Sequence, residues 1–146
     1  MGLQRVIEGG LLDIADAEQV RAAGEMLARL HLTMADYPGT IPTEVPPAPG
    51  TQLVGNDFRS ANILWAEGRI AAVLDLEEAT YRHRADDLAQ AAVLLGTRYH
   101  DWAPTPADVR ARFVAAYASI LPPTGEDAAL VEEGIESCLR AMGWDG

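Results

Sequence analysis

The sequence LVGNDFRSANILWAEGRIAAVLDLEE occupies residues 53–78 and decides how the chain is interpreted. Three polar side chains stand at the ends of its apolar runs. Asp57 comes just after the first run, Asn62 lies five residues later where the second begins, and Asp75 follows the third. Two carboxylates and one carboxamide suit a hard cation that prefers oxygen ligands, and they leave one acceptor that can take up a proton.

The two apolar runs after Asn62 are predicted to form a β-hairpin. Residues 63–65 and 70–74 have strand-like composition, and residues 66–68 form the turn, where Gly68 is free to adopt a positive φ. A hairpin returns the chain to the point at which it started. We therefore expect Asn62 and Asp75 to be brought together as ligands of one ion.

Four features in order resemble the aminoglycoside phosphotransferase and choline kinase-like family. They are the spacing of Asp57 and Asn62, the later Asp75, the segment DLA at residues 87–89, and the segment LARLH at residues 27–31. The resemblance covers about residues 5–100. It implies an α+β, mostly α-helical chain: the C-terminal lobe of a protein kinase-like fold, with four to five helices packed around a small β-hairpin that carries the catalytic loop.

The resemblance also implies a role for each polar residue. Asp57 is the candidate base for an acceptor hydroxyl, and Arg59 is placed to neutralise charge on the transferred phosphoryl group. Asn62 and Asp75 are candidate ligands for Mg²⁺, which would be bound together with ATP. The structural alternatives are a turn-capping carboxylate at Asp57, a solvated arginine at 59, and turn residues at strand ends for the two metal ligands.

Two acidic residues follow Asp75 directly. Glu77 and Glu78 could meet the metal or a cationic acceptor, and the simpler interpretation is that one of them is a surface charge. Asp87 is expected in the first turn of a helix, where a carboxylate favours the helix dipole. By resemblance, Asp87 also braces the catalytic loop through backbone amides.

The chain departs from the family pattern in its basic residues and in its loop. All 11 basic residues are arginine, so the phosphate-gripping lysine of the family is missing, and no glycine-rich phosphate loop is present. Gly55 occupies the position where the family usually has a histidine, and Asn56 the position where it usually has a glycine. We therefore expect residues 1–146 to be a single C-lobe domain that lacks the N-terminal nucleotide-binding lobe.

Three functions remain open at this point. The first is the C-lobe of an ATP-dependent phosphotransferase that acts on a small-molecule hydroxyl and is incomplete as this chain. The second is a catalytically inactive kinase-like domain kept for binding or assembly, which the missing lysine and Gly55 favour. The third is a metal-dependent hydrolase, for which the sequence offers no histidine ligand or second metal shell.

Helical periodicity and capping residues place the remaining elements. A helix is predicted over residues 17–33 with Asp16 as its N-cap, and another over residues 85–99. Two later helices are expected to start at Thr105 and Thr124. The proline-rich residues 35–52 form a loop. His31 is expected to be a packed, hydrogen-bonded residue, and Cys138 a small core residue.

Composition limits the partners and the compartment. A net charge of −11 argues against nucleic acid as a partner and is compatible with a cationic acceptor. The chain has no apolar run long enough to span a membrane. A single cysteine fits a reducing cytoplasm. If the N-terminal lobe is missing, an exposed apolar face would favour self-association.

Overall fold

The computed structural model describes residues 9–37, 46–74, 77–98 and 102–144, which form an α+β chain dominated by helices. This architecture confirms the predicted class. The elements in chain order are β1 (Gly10–Leu11), α1 (Ala17–Ala35), β2 (Gln52–Val54), a 3₁₀ turn (Ser60–Asn62), β3 (Ile63–Ala66), β4 (Arg69–Val73), β5 (Thr80–Arg82), α2 (Arg84–Leu94), α3 (Ala107–Ile120) and α4 (Glu126–Ala141).

Helix α1 begins where its sequence predicts. Asp16 has an extended backbone, and its side chain accepts a hydrogen bond of 3.0 Å from the amide of Glu18, which satisfies one of the free N–H groups of the first turn. Gln19 differs from a capping-box residue. Its side-chain oxygen accepts from the amide of Asp13 at 2.8 Å, and its amide group donates to Asp16. The Gln19 side chain therefore binds both the segment that precedes the helix and the N-cap residue.

The helices pack in two pairs, α1 with α3 and α2 with α4. Gly24 permits the first pairing, because a Cβ atom at this position would overlap the backbone carbonyl of Phe113. In the second pairing, a Cβ on Gly134 would lie 2.7 Å from the Cβ of Ala89. Close backbone approach lets the core fill with side chains from all four helices. The largest fully buried side chains include Tyr117, Phe113, Leu12, Ile63, Leu88 and Leu95.

The strands form two small antiparallel sheets. β3 and β4 make the predicted hairpin, and its turn places Glu67 at φ 55° and Gly68 at φ 78°, as a type I′ turn requires. β1 pairs with the other edge of β3. The second sheet joins β2 to β5, and this pairing was not predicted because β5 is only three residues long.

The later helices depart from the predicted boundaries. α2 ends at Leu94 and not near residue 99, because the chain turns there and the amide of Thr97 bonds to the carbonyl of Leu94 at 2.9 Å. Thr105 does not cap α3. Its hydroxyl accepts a hydrogen bond of 2.9 Å from the amide of Gly96, so it closes the segment between α2 and α3. The start of α3 at Ala107 has no side-chain cap.

Cys138 was wrongly predicted to be a core residue. α4 lies on the surface of α2, and Val131 is the residue of α4 that is fully buried, whereas Cys138 is half-buried. Partial burial raises the pKa of the Cys138 thiol, and the positive charge of Arg82 opposes that shift. The thiol therefore stays protonated to a higher pH than an ordinary cysteine.

Candidate active site

The loop between β2 and the 3₁₀ turn has a left-handed residue at its second position. Asn56 has φ 66°, a conformation that asparagine tolerates better than most residues. Its side-chain oxygen accepts from Arg82 at 2.6 Å, and its backbone carbonyl accepts from the side-chain amide of Gln90 at 2.8 Å. Arg82 also donates to Gln90 at 3.0 Å. This three-residue network ties the start of the loop to β5 and α2.

Two further residues anchor the loop on the core. Phe58 is buried and its ring lies 6.1 Å from the ring of Phe113, measured between centroids. The amide of Ser60 donates to the carbonyl of Leu95 at 2.7 Å, which joins the 3₁₀ turn to the end of α2. Because the residues before and after Asp57 are anchored in this way, the backbone holds the Asp57 side chain in one direction.

Asp57 and Asn62 are in direct contact. The side-chain nitrogen of Asn62 donates to Asp57 Oδ2 at 3.0 Å and to the backbone carbonyl of Asp57 at 3.2 Å. The 3₁₀ turn brings the two residues together, because the amide of Asn62 also bonds to the carbonyl of Arg59 at 2.9 Å. With its nitrogen on Asp57, the carboxamide of Asn62 directs its oxygen away from that carboxylate.

Arg59 approaches the other oxygen of the same carboxylate. Its Nε lies 3.0 Å from Asp57 Oδ1, within ion-pair distance, although the N–H is not aimed well enough to make a hydrogen bond. The guanidinium carbon also lies 5.3 Å from the ring centroid of Trp102, an exposed residue, in a cation–π arrangement. Arg59 is therefore held on two sides, with 24% of its side chain accessible to solvent. Trp102 belongs to no sequence motif and was not predicted to lie at the site.

The end of the hairpin reaches the same loop. The amide of Leu74 donates to the carbonyl of Asn62 at 2.7 Å, so β4 ends beside the candidate metal ligand. Asp75 is the next residue in the sequence and lies outside the described residues. The structure thus brings Asp57, Arg59 and Asn62 together, and the prediction for Asp75 stays a prediction. Glu77 and Glu78 are exposed turn residues.

A small cavity of about 10 Å³ borders Asp57. It is mainly apolar, and α1, the loop and the end of β4 contribute its walls. The residues that line it are Leu27, Leu30, His31, Met34, Gly55, Asp57, Phe58, Val73, Leu74 and Asp87. Gly55, which occupies the sequence position of the usual family histidine, thus lies on the wall of this cavity.

A buried polar chain forms part of the wall of that cavity. His31 is 0% exposed; its Nδ1 lies 2.5 Å from the hydroxyl of Tyr117 and its Nε2 lies 2.7 Å from Asp87 Oδ2. Burial raises the pKa of Tyr117, so its phenol keeps its proton at neutral pH. In the neutral imidazole, Nε2 donates a hydrogen bond to the Asp87 carboxylate, which can only accept, and Nδ1 accepts one from the Tyr117 hydroxyl. His31 is a packed, hydrogen-bonded residue as predicted, and the described side-chain partner of Asp87 is His31.

The described residues offer few candidate ligands for a metal ion. Among them, no group of three or more His, Cys, Asp or Glu side chains could hold a metal ion. The predicted set is of another kind, because it combines the carboxamide of Asn62 with the carboxylate of Asp75. Mg²⁺ commonly takes only one or two protein carboxylates and completes its shell with phosphate and water oxygens.

The fold and this loop define a phosphotransferase-like domain: an α+β chain in which an aspartate and an asparagine five residues apart are in contact. Comparison with protein families agrees. Residues 35–130, more than half of the chain, match the phosphotransferase enzyme family, and the chain belongs to that family. Comparison with curated protein sequences gives no match. No helix in the described part of the chain is both long and apolar enough to cross a membrane.

Proposed function

We propose that this domain takes part in magnesium-dependent phosphoryl transfer from ATP to a hydroxyl group of a small molecule. The observation that carries the proposal is the hydrogen bond of 3.0 Å between Asn62 and Asp57 in a chain of the phosphotransferase family. Phosphoryl transfer depends mainly on positioning and electrostatic stabilisation, so a fixed aspartate beside a candidate metal ligand is the feature that this reaction needs.

Asp57 is assigned the role of base. Its carboxylate is partly exposed, with 18% of the side chain accessible, so a hydroxyl can reach it from solvent. The contact with Asn62 fixes the carboxylate plane, and the anchored loop limits its movement. In this position Asp57 orients the acceptor hydroxyl and receives its proton as the oxygen attacks the terminal phosphorus.

Arg59 is assigned the role of charge stabilisation. Only its Nε faces Asp57, and a guanidinium carries further N–H donors that can meet phosphoryl oxygens. Trp102 holds the guanidinium beside Asp57 through its ring face. Arg59 thereby places a positive charge at the position where negative charge develops on the transferred group.

Asn62 and Asp75 are assigned to the metal. The oxygen of Asn62 points away from Asp57, which suits coordination, and Asp75 directly follows Leu74, whose amide is bonded to Asn62. When bound, Mg²⁺ would neutralise phosphate charge and hold the nucleotide in line with the acceptor. The acidity of the chain, −11 in net charge, is compatible with a cationic acceptor.

A second candidate is a kinase-like domain that binds without turnover. Two observations favour it. The chain contains no lysine that could grip the nucleotide phosphates. In addition, Arg59 and Asn62 contact one oxygen each of the Asp57 carboxylate, so an acceptor hydroxyl must compete with them for the base. In this case the same loop would bind a ligand without transferring phosphate.

The two candidates are separated first by binding and then by turnover. Binding is measured as the thermal shift produced by ATP with Mg²⁺ in the wild type and in Asp57→Asn, Asn62→Ala and Asp75→Ala. Ligand at about 100 times its Kd should add about 2.7 kcal/mol to the free energy of unfolding. Asp108→Asn is the matched control, since Asp108 is an exposed carboxylate in the first turn of α3.

Turnover is measured as transfer of the terminal phosphate to a panel of amino alcohols and amino sugars. Transfer that Asp57→Asn abolishes and Asp108→Asn leaves intact is the result expected of a phosphotransferase. A thermal shift lost in Asn62→Ala and Asp75→Ala, without any transfer, would establish the binding domain instead. No shift in the wild type would contradict both. Phosphate release without an acceptor would support the hydrolase alternative.

A further inference from the structure

A second cleft opens at the start of α2, and it shares no lining residue with the cavity beside Asp57. Its volume is about 390 Å³, within the range of small-molecule sites. The lining residues are Gly50, Thr51, Gln52, His83, Arg84, Ala85 and Asp127. The proposed phosphoryl transfer uses none of them, so the cleft calls for a separate explanation.

One wall of this cleft is held in place by a tight turn. The hydroxyl of Thr51 accepts from the amide of Ala48 at 2.9 Å and donates to the carbonyl of Ala48 at 2.6 Å. Gly50 has φ 79°, and a Cβ atom there would lie 2.5 Å from the imidazole of His83. The turn and the residue before α2 are therefore in close contact. A wall that is already ordered loses little entropy when a ligand binds.

Two residues of opposite charge line the cleft. Arg84 lies in the first turn of α2 and Asp127 in the first turn of α4, and both also line a smaller adjoining pocket that reaches Tyr117. Among the described residues, the two side chains form no ion pair within 4.0 Å. Both charges act on Tyr117: burial is the main cause that raises its pKa, the charge of Arg84 opposes that rise, and the charges of Asp87 and Asp127 add to it.

A cation and an anion that share one cleft without meeting leave a gap for a ligand with both charges. We propose that the cleft between Arg84 and Asp127 binds a small zwitterion of the amino acid class, with its carboxylate on Arg84 and its ammonium group on Asp127. A guanidinium binds a carboxylate through paired N–H donors, and an aspartate accepts from an ammonium group. A ligand with one charge would leave the other wall unmatched and would bind more weakly.

The cleft is connected to the proposed active site. Tyr117 lines the adjoining pocket, its hydroxyl is hydrogen-bonded to His31, and His31 lines the cavity beside Asp57. The imidazole of His31 therefore offers a spectroscopic reporter for events in the cleft. Binding itself does not depend on phosphoryl transfer, so the two proposals fail independently.

The test is a titration followed by NMR, with four probes of increasing charge separation: glycine, β-alanine, 4-aminobutyrate and 5-aminopentanoate. Butyrate and butylammonium are the single-charge controls. We expect at least one zwitterion to saturate shifts of the amides of Thr51, Gln52 and Ala85 and of the His31 ring. Each single-charge probe should bind about tenfold more weakly than the best zwitterion.

Variants then identify the two charges. Arg84→Gln and Asp127→Asn should each weaken binding of the best zwitterion about tenfold, whereas Arg112→Gln, which removes an exposed arginine on α3, should leave it unchanged. The probe comparison uses the wild type alone and so does not depend on how the variants fold. The proposal would be overturned if single-charge and zwitterionic probes bind equally well. It would also be overturned if the shifts are confined to other residues or if no probe gives a saturable shift.

Discussion

Replacement of Tyr117 by phenylalanine tests the buried polar chain by removing one group, the hydroxyl that is hydrogen-bonded to His31. Tyr117 is 2% exposed and His31 0%, so the lost hydroxyl cannot be replaced by bulk water. The ring and its packing against the core remain. What changes is His31 Nδ1, which loses the donor 2.5 Å away and stays buried. Tyr37→Phe is the matched control, because Tyr37 is 49% exposed and its hydroxyl is free to contact water.

The magnitude follows from the cost of an unsatisfied buried polar atom. Leaving one acceptor without a partner costs about 1–3 kcal/mol, so Tyr117→Phe should lower the free energy of unfolding by that amount. For a chain of this size, each kcal/mol corresponds to roughly 2–4 °C in Tm. Urea denaturation gives the free energy and calorimetry gives the Tm. A loss no larger than that of Tyr37→Phe would refute the argument that the Tyr117 hydroxyl satisfies His31.

The direction of the Tyr117 pKa shift determines how its contribution to stability changes with pH. Burial raises the pKa of Tyr117 above the value of about 10 that tyrosine has in an unfolded chain. Stability from the protonated phenol is therefore fully present below about pH 10 and is lost as the pH rises towards the folded pKa. The difference in the free energy of unfolding between the wild type and Tyr117→Phe should be constant from about pH 7 to 9 and should become smaller above about pH 10. A difference that widens at alkaline pH would contradict this assignment.

Further predictions concern helix packing and the thiol. Gly24→Ala should destabilise the chain by about 1–3 kcal/mol, because its Cβ would overlap the carbonyl of Phe113; Gly10→Ala, with no atom within 4 Å, serves as control in the same urea experiment. Cys138 should react with a thiol reagent more slowly than free cysteine near neutral pH, because burial raises its pKa. Arg82→Gln should slow that reaction further, since the charge of Arg82 opposes the shift; a faster reaction would contradict this.

Local features of the fold could be predicted from the sequence because their causes are local. The side chain of Asp16 caps the helix that directly follows it, and Gly68 occupies the turn between two adjacent strands. The contact between Asp57 and Asn62 belongs to the same group, because only five residues and one 3₁₀ turn separate them. In each case the spacing along the chain nearly determines the spacing in three dimensions.

Features that depend on distant residues could not be predicted. His31 and Tyr117 are 86 positions apart, and no periodicity in either helix indicates that their polar atoms meet. Thr105 has the composition of a helix cap, yet the competing hydrogen bond from Gly96 uses its hydroxyl. Trp102 stands in an irregular segment without a motif, and only the fold places it against Arg59. Asn56 offered one usable signal, since asparagine tolerates the left-handed backbone found there.

We propose above all that the loop carrying Asp57 and Asn62 holds a divalent cation together with nucleotide. The most direct measurement replaces Mg²⁺ with paramagnetic Mn²⁺ in the presence of a non-hydrolysable ATP analogue and follows the side-chain amide signals by NMR. We expect the Asn62 signals to broaden before those of the other asparagine and glutamine side chains. Asn62 signals that stay sharp while another amide broadens would contradict it.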